Sequence, residues 1–259
     1  MSSNYWFEAE EVSAIKNDYE VVRNLSLKLK DEENVLILGP NGSGKSSIVD
    51  LINRNIYPME KRHSSFKILN RELINIWELR SNINSVNNEI KSRINSHLKV
   101  YDLILSGLYG KYCKVKNPNS RDLEITEQLI NQMSLSKISM KNFGSLSDGE
   151  KQIALIARAI VNNPKILILD EPSINLDIKS KLFLTNKIIE LSKKGICILC
   201  ITHDIDMITE NYHRVILLKD REIIADGKPN EIINTNNINK LFDINVKIIK
   251  HSNKWSLIK

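Results

Sequence analysis

The segment Gly39-Pro40-Asn41-Gly42-Ser43-Gly44-Lys45-Ser46-Ser47 constrains this chain most. It matches G-x-x-x-x-G-K-[ST] at every position and sits between a predicted strand, Val35–Leu38, and a predicted helix. That context predicts a phosphate-binding loop in an α/β domain. Glycines let successive backbone N–H groups curl around phosphate oxygens, and the following helix adds the positive end of its dipole. Lys45 is placed as a mobile cation for the β- and γ-phosphates, and the Ser46 hydroxyl as a magnesium ligand.

Further apolar runs extend the α/β reading. Ile166–Leu169, Ile196–Ile201 and Val215–Leu218 are continuous, as strands covered on both faces require. Lys219-Asp220 then leads into Glu222–Ala225 as a terminal hairpin. Near the N-terminus Val12, Ala14, Leu25, Leu27 and Leu29 alternate, which predicts antiparallel strands with one wet face. From about Glu89 to Ile160 the spacing turns helical (Leu103, Ile104, Leu108, Leu123, Leu129, Ile130, Met133), interrupted by the polar loop Tyr109–Ser120. The expected fold class is α/β: a P-loop NTPase core with a mostly parallel sheet, an antiparallel N-terminal subdomain and a helical insertion. One domain is expected, with its core at 1–88 and 161–230, a helical subdomain at 89–160, and an asparagine-rich, weakly patterned tail at 231–259.

Asp170 and Glu171 end the run Ile166–Leu169, which places two carboxylates at the carboxyl edge of the sheet, where open α/β sheets bind ligands. Asp170 there would hold magnesium through water, and Glu171 would orient or deprotonate an attacking water. Leu146-Ser147-Asp148-Gly149-Glu150 precedes an apolar helix. Ser147 and Glu150 make a capping box that needs no ligand. A capped helix start beside a glycine is also an anion site, and the two readings are compatible.

These motifs, on one chain and in this order, resemble an ATP-binding-cassette ATPase, the nucleotide-binding subunit of ABC transporters, from about Val12 to Glu231. The resemblance rests on the set: the P-loop, a signature near L-S-G-G-Q at Leu146–Glu150, Asp170-Glu171, and His203 in Ile201-Thr202-His203-Asp204. It implies ATP and Mg2+ in two composite sites of a head-to-tail dimer. Ser147 and Gly149 of one subunit would close in trans over ATP held by Gly39–Ser47 of the other. It further implies that His203 contacts the γ-phosphate and joins Lys45 and Glu171 in catalysis. Asp177, in Ile174-Asn175-Leu176-Asp177, would couple the two sites.

The family's sensor-loop glutamine falls at Asn88, which keeps the amide on a shorter arm toward magnesium-bound water. Its adenine-stacking aromatic falls near Lys16, with Tyr19 the nearest ring. Asp148 and Glu150 depart from the signature, and an extra carboxylate there weakens closure over a phosphate unless it points away. LSDGE, the non-glutamine sensor loop and VYDLILSGLYG are most similar to a small single-cassette branch named molybdenum-type or photorepair-like.

Composition agrees with such a subunit. Of 259 residues, 37 are basic and 31 acidic, a formal charge of +6, but the charges are mixed along the chain as on a solvated surface, so no nucleic acid is expected. The acidic start MSSNYWFEAEEV lacks a signal-peptide layout, and no apolar run approaches the roughly 18 residues of a membrane helix. Cys197 and Cys200 lie three apart in a predicted buried strand and so face opposite ways, which argues against a metal or disulfide pair.

The implied function is a cytoplasmic homodimeric ATPase, peripheral at the inner face of the cell membrane, that energises separate membrane subunits. Two alternatives are a soluble non-transport ABC ATPase and a nucleotide-dependent regulatory protein with little turnover. One P-loop and no heptad run fit neither the two-cassette translation plan nor the coiled-coil repair plan, and an intact Glu171 and His203 argue against lost turnover. A generic P-loop kinase would have no reason to carry LSDGE, INLD and ITHD.

Overall fold

The computed structural model describes residues 5–251 and 254–258. The chain opens with β1 (Tyr5–Lys16), β2 (Tyr19–Lys30), β3 (Val35–Leu38), α1 (Lys45–Ile52), β4 (Ser65–Ile68) and α2 (Ile76–Asn82). Then come β5 (Ile83–Val86), α3 (Asn88–Arg93), α4 (Val100–Gly107), α5 (Ser120–Gln132), α6 (Asp148–Ile160), β6 (Ile166–Asp170) and α7 (Ile178–Lys193). It closes with β7 (Cys197–Thr202), β8 (Arg214–Lys219), β9 (Glu222–Gly227), α8 (Pro229–Ile232), α9 (Thr235–Phe242), β10 (Lys247–His251) and β11 (Lys254–Ile258). Two compact units result, Met1–Arg80 with Cys197–Lys259, and Ser81–Ile196.

In the first unit, β1 lies between β2 and β4, antiparallel to both. Val12, Ala14, Leu25, Leu27 and Leu29 are buried as their alternation predicts. Trp6, Phe7 and Ser13 are buried as well, and the register shifts between Ala9 and Val12, so β1 is covered on more than one face. Phe7 meets Phe66 of β4 edge-on at 5.6 Å. The continuous run of β3 has no wet face: Val35, Leu36, Ile37 and Leu38 are all buried. Parallel neighbours β7 and β8 flank it, and β9 turns back antiparallel on β8. Each fully buried aliphatic side chain of such a strand contributes about 1.5–3 kcal/mol.

β7 carries the cysteine pair. Both thiols are buried; that of Cys197 donates to the Glu33 carbonyl at 3.1 Å. Burial pushes the Cys197 thiol up to about 12, so it stays protonated and makes a poor metal ligand.

The tail from Glu231 is more ordered than its pattern predicts. It forms the second half of α8, then α9 and an antiparallel β10–β11 hairpin, and buries Ile238, Leu241 and Trp255. Its asparagines cap and brace rather than disorder: the Asn234 side chain accepts from the Asn237 N–H at 2.9 Å, and the Asn237 amide donates to the Ile232 carbonyl at 2.8 Å.

The second unit holds the expected helices α3 to α6, together with β5, β6 and α7. β5 escapes a hydrophobic reading because half of INSV is polar. The Asn84 amide is spent on the Ala159 carbonyl at 2.7 Å and the Asn162 side chain at 2.9 Å, which ties the strand to the end of α6. Among the described residues, no helix is long and apolar enough to cross a membrane.

Candidate functional site

Gly39–Ser47 turn at the carboxyl edge of β3, and strand register decides their neighbour. Leu38 stands opposite Thr202 in parallel β7, so the loop and His203 leave the sheet side by side. The Gly39 N–H donates to the Thr202 carbonyl at 3.2 Å. Gly39 tolerates no side chain, since a Cβ would lie 2.1 Å from the Leu218 carbonyl oxygen. Gly44, at φ 98°, takes the left-handed turn into α1 and caps it without a side chain. No acidic residue stands in the first turn of α1, so no carboxylate there competes with an incoming anion.

The loop fits a triphosphate on its own polar atoms. Lys45 is buried, and its ammonium donates to the Gly39 and Pro40 carbonyls at 2.7 and 2.8 Å, folded back over the turn. Phosphate oxygens would take over those bonds with full opposite charge. The Ser43 hydroxyl is buried and meets no hydrogen-bond partner among the described residues. That omission costs about 1–3 kcal/mol, which an oxygen in the loop would relieve. Pro40, Asn41 and Gly42 form the outer turn, and the Ser47 N–H donates to the Gly44 carbonyl at 3.1 Å, with Ser46 beside it in the first turn of α1. Tyr19 starts β2 opposite Lys16, its ring 75 % exposed. Lys16 pairs with Asp50 of α1 at 2.7 Å, which anchors the hairpin to the helix behind the loop.

In the second unit a second parallel pair does the same work. Val86 of β5 stands opposite Leu169 of β6, so Asn88 and Asp170-Glu171 lie at one strand edge. Asn87 caps α3, accepting from the Ile90 N–H at 2.9 Å, so Asn88 is the first helical residue. Glu171 has φ 52°, a left-handed backbone that costs a side-chain-bearing residue energy and is concentrated at functional sites.

Ser147 and Glu150 close the capping box read from sequence. The Ser147 hydroxyl accepts from the Glu150 N–H at 3.2 Å, and the Glu150 carboxylate accepts from the Ser147 N–H at 2.8 Å. Asp177 caps α7, accepting from the Ser180 N–H at 2.7 Å; this bond and the Ser180 hydroxyl hold its carboxyl below the usual range. Gly149 lies against the same turn, where a Cβ would come within 2.5 Å of the Ser180 hydroxyl. The LSDGE helix start therefore lies against Ser180 in the first turn of α7, the turn that Asp177 caps.

The model of the ABC transporter family matches residues 22–174, more than half the chain. This chain belongs to that family. It is an ABC cassette that hydrolyses ATP to drive transport. The cassette is 30% identical over 251 residues to the ABC transporter ATP-binding protein YmeB of Lactococcus lactis, itself uncharacterized, covering 95% of this chain and 96% of the relative. Its fold matches cbiO1 of Clostridium perfringens, part of the ABC transporter complex cbiONQ, with a TM-score of 0.78, 26% identity and coverage of 92% and 94%. It also matches a dimeric ATP-binding cassette solved in a post-hydrolysis state with ADP and Pi, with a TM-score of 0.72, 26% identity and coverage of 86% and 98%. ABC cassettes dimerise and work with membrane partners.

Each unit by itself offers hard oxygen donors of the kind magnesium takes. Among the described residues no cluster of three or more His, Cys, Asp or Glu could hold an ion unaided. Ser46 and Asp170 are hard oxygen donors, and magnesium takes few such protein ligands beside substrate phosphates and water.

Two contacts of the cassette have no signal in its sequence. The Arg221 N–H, in the β8–β9 turn, donates to the Ser43 carbonyl at 3.0 Å, and the Arg221 side chain covers Gly44. Lys91 of α3 reaches Asp148 of the signature at 2.6 Å, across 57 residues of chain. The hydrogen bond and charge of Lys91 hold the Asp148 carboxyl below its usual range. The extra carboxylate of LSDGE is thus paired.

Proposed function

We propose that this cassette binds Mg-ATP on Gly39–Ser47, closes as a homodimer over two such nucleotides, and passes the stroke to integral membrane subunits through residues 89–160. The supporting observation is the loop itself: a buried lysine folded over its carbonyls and a buried hydroxyl that meets no partner among the described residues, at a helix start without carboxylates. Lys45 draws the β- and γ-phosphates, Glu171 orients and deprotonates the attacking water, and His203 holds the γ-phosphate geometry. Ser147 and Gly149 act in trans on the partner's nucleotide, Asp177 couples the two sites, and the exposed Tyr19 ring stacks on adenine. Ser46 and Asp170 would hold magnesium, Asn88 would act through its bound water, and the ion would supply charge neutralisation at the phosphate oxygens.

The finer affiliation we infer is the molybdenum-type or photorepair-like branch, supported by LSDGE, Asn88 and VYDLILSGLYG. The proposed location is the inner face of the cell membrane, held there by the membrane partner. Affinity capture of the tagged cassette from detergent-solubilised membranes tests the assembly. A multi-helix membrane protein should co-purify in stoichiometric amount, with an ATP-dependent yield. Recovery of the cassette alone with and without ATP would refute it.

The shortened sensor arm makes its own prediction. Asn88→Gln restores reach, so magnesium-dependent hydrolysis should hold or rise, by up to about tenfold, the scale of outer-sphere tuning at metal sites. A sharp fall in steady-state phosphate release would show that Asn88 serves a geometry of its own.

A further inference from the structure

The Lys91–Asp148 pair joins the segment after Asn88 to the signature. Lys91 sits one turn into α3, its N–H donating to the Asn87 carbonyl at 3.4 Å, and Asp148 is the first residue of α6. The two side chains are 27% and 45% exposed. A pair this wet adds little to stability, so its consequence must be sought in the charge it cancels.

Two carboxylates stand in the first turn of α6, where the in-trans reading brings a phosphate of the partner's ATP. Glu150 is engaged by the capping box, on the Ser147 N–H. The Asp148 carboxylate instead accepts from Lys91, with Lys151 on the same helix adding a smaller attraction. The remaining charges on α3, Glu89 and Arg93, pair with each other. Without Lys91, Asp148 would set a full negative charge beside a helix terminus whose dipole offers only about half a positive one.

We propose that Lys91 is a positioning residue for ATP-driven closure: it neutralises Asp148 and holds the start of α3 against the signature, so that LSDGE can meet a phosphate. This rests on the in-trans reading of Ser147 and Gly149. LSDGE and Lys91 then form one unit, in which the lysine compensates the aspartate that replaces the usual glycine.

The experiment titrates ATP against Glu171→Gln protein and reads dimer mass by light scattering, with Lys91→Ala, Lys91→Arg and Lys91→Ala/Asp148→Asn added to that background. Lys91→Ala should raise the ATP concentration for half-maximal dimer roughly tenfold, the scale of one uncompensated charge near a phosphate at a partly hydrated interface. Lys91→Arg should stay within about twofold, because it keeps the cation. Adding Asp148→Asn should bring Lys91→Ala back within about twofold of Glu171→Gln alone, since no carboxylate then needs neutralising. A normal dimer with no response to Lys91→Ala, or a shift that persists with Asp148→Asn, overturns the role of Lys91 alone. Glu171→Gln protein that stays monomeric in saturating ATP overturns the in-trans reading and this role with it.

Discussion

Lys45→Ala should reduce ATP hydrolysis on the order of 10²–10³-fold, the loss typical of removing one preorganised charge-stabilising group. The folded chain should survive the change. Lys45 is buried, and its ammonium donates to two backbone carbonyls, 2.7 and 2.8 Å away, so its removal takes hydrogen bonds from groups within the loop itself. The clearest readout is therefore thermal. ATP at about a hundred times its dissociation constant stabilises a binding protein by about 2.7 kcal/mol. Wild type should show the corresponding rise in Tm, and Lys45→Ala should lose most of it while keeping a similar Tm without nucleotide. A variant that still hydrolyses and is still stabilised by ATP would remove the P-loop from the mechanism.

Glu171→Gln should separate binding from chemistry. The side chain keeps its size and its place after β6 but loses the basic oxygen, and general-base catalysis is worth about 10²–10⁴-fold. Phosphate release should fall by that factor while nucleotide binding persists, and the ATP-bound cassette should accumulate as a dimer of doubled mass in light scattering. ADP should leave it monomeric, because no γ-phosphate spans to the partner's signature. The backbone sharpens the expectation: Glu171 has φ 52°, and glutamine meets the same left-handed cost as glutamate, so a change in activity reads chemistry and not refolding of the turn.

Much of the site was legible because its pieces are contiguous. Gly39–Ser47 carries its glycines, lysine and hydroxyls in nine consecutive residues, and the Ser147–Glu150 box closes within four. The apolar runs Val35–Leu38 and Ile166–Leu169 name their own strands, since burial on both faces leaves no polar alternation. β5 was hidden for the opposite reason: Asn84 is polar in the sequence and satisfied only by groups at the end of α6. The asparagine-rich tail was hidden likewise. An asparagine that caps a helix and one that breaks a pattern are the same letter, and only the acceptor geometry at Asn234 separates them.

The sequence by itself determined the chemistry available here: a phosphate cradle with its cation, an acid pair at a strand end, a capped helix start and a histidine after an apolar strand. Those properties reside in local backbone conformation and in side-chain type. Only the tertiary structure decided which groups meet. Parallel register sets Gly39 beside Thr202 and His203, a hairpin turn rests Arg221 on Gly44, and α3 brings Lys91 to Asp148. Each contact joins residues far apart in the chain, so it follows from how elements pack and not from spacing within any one of them.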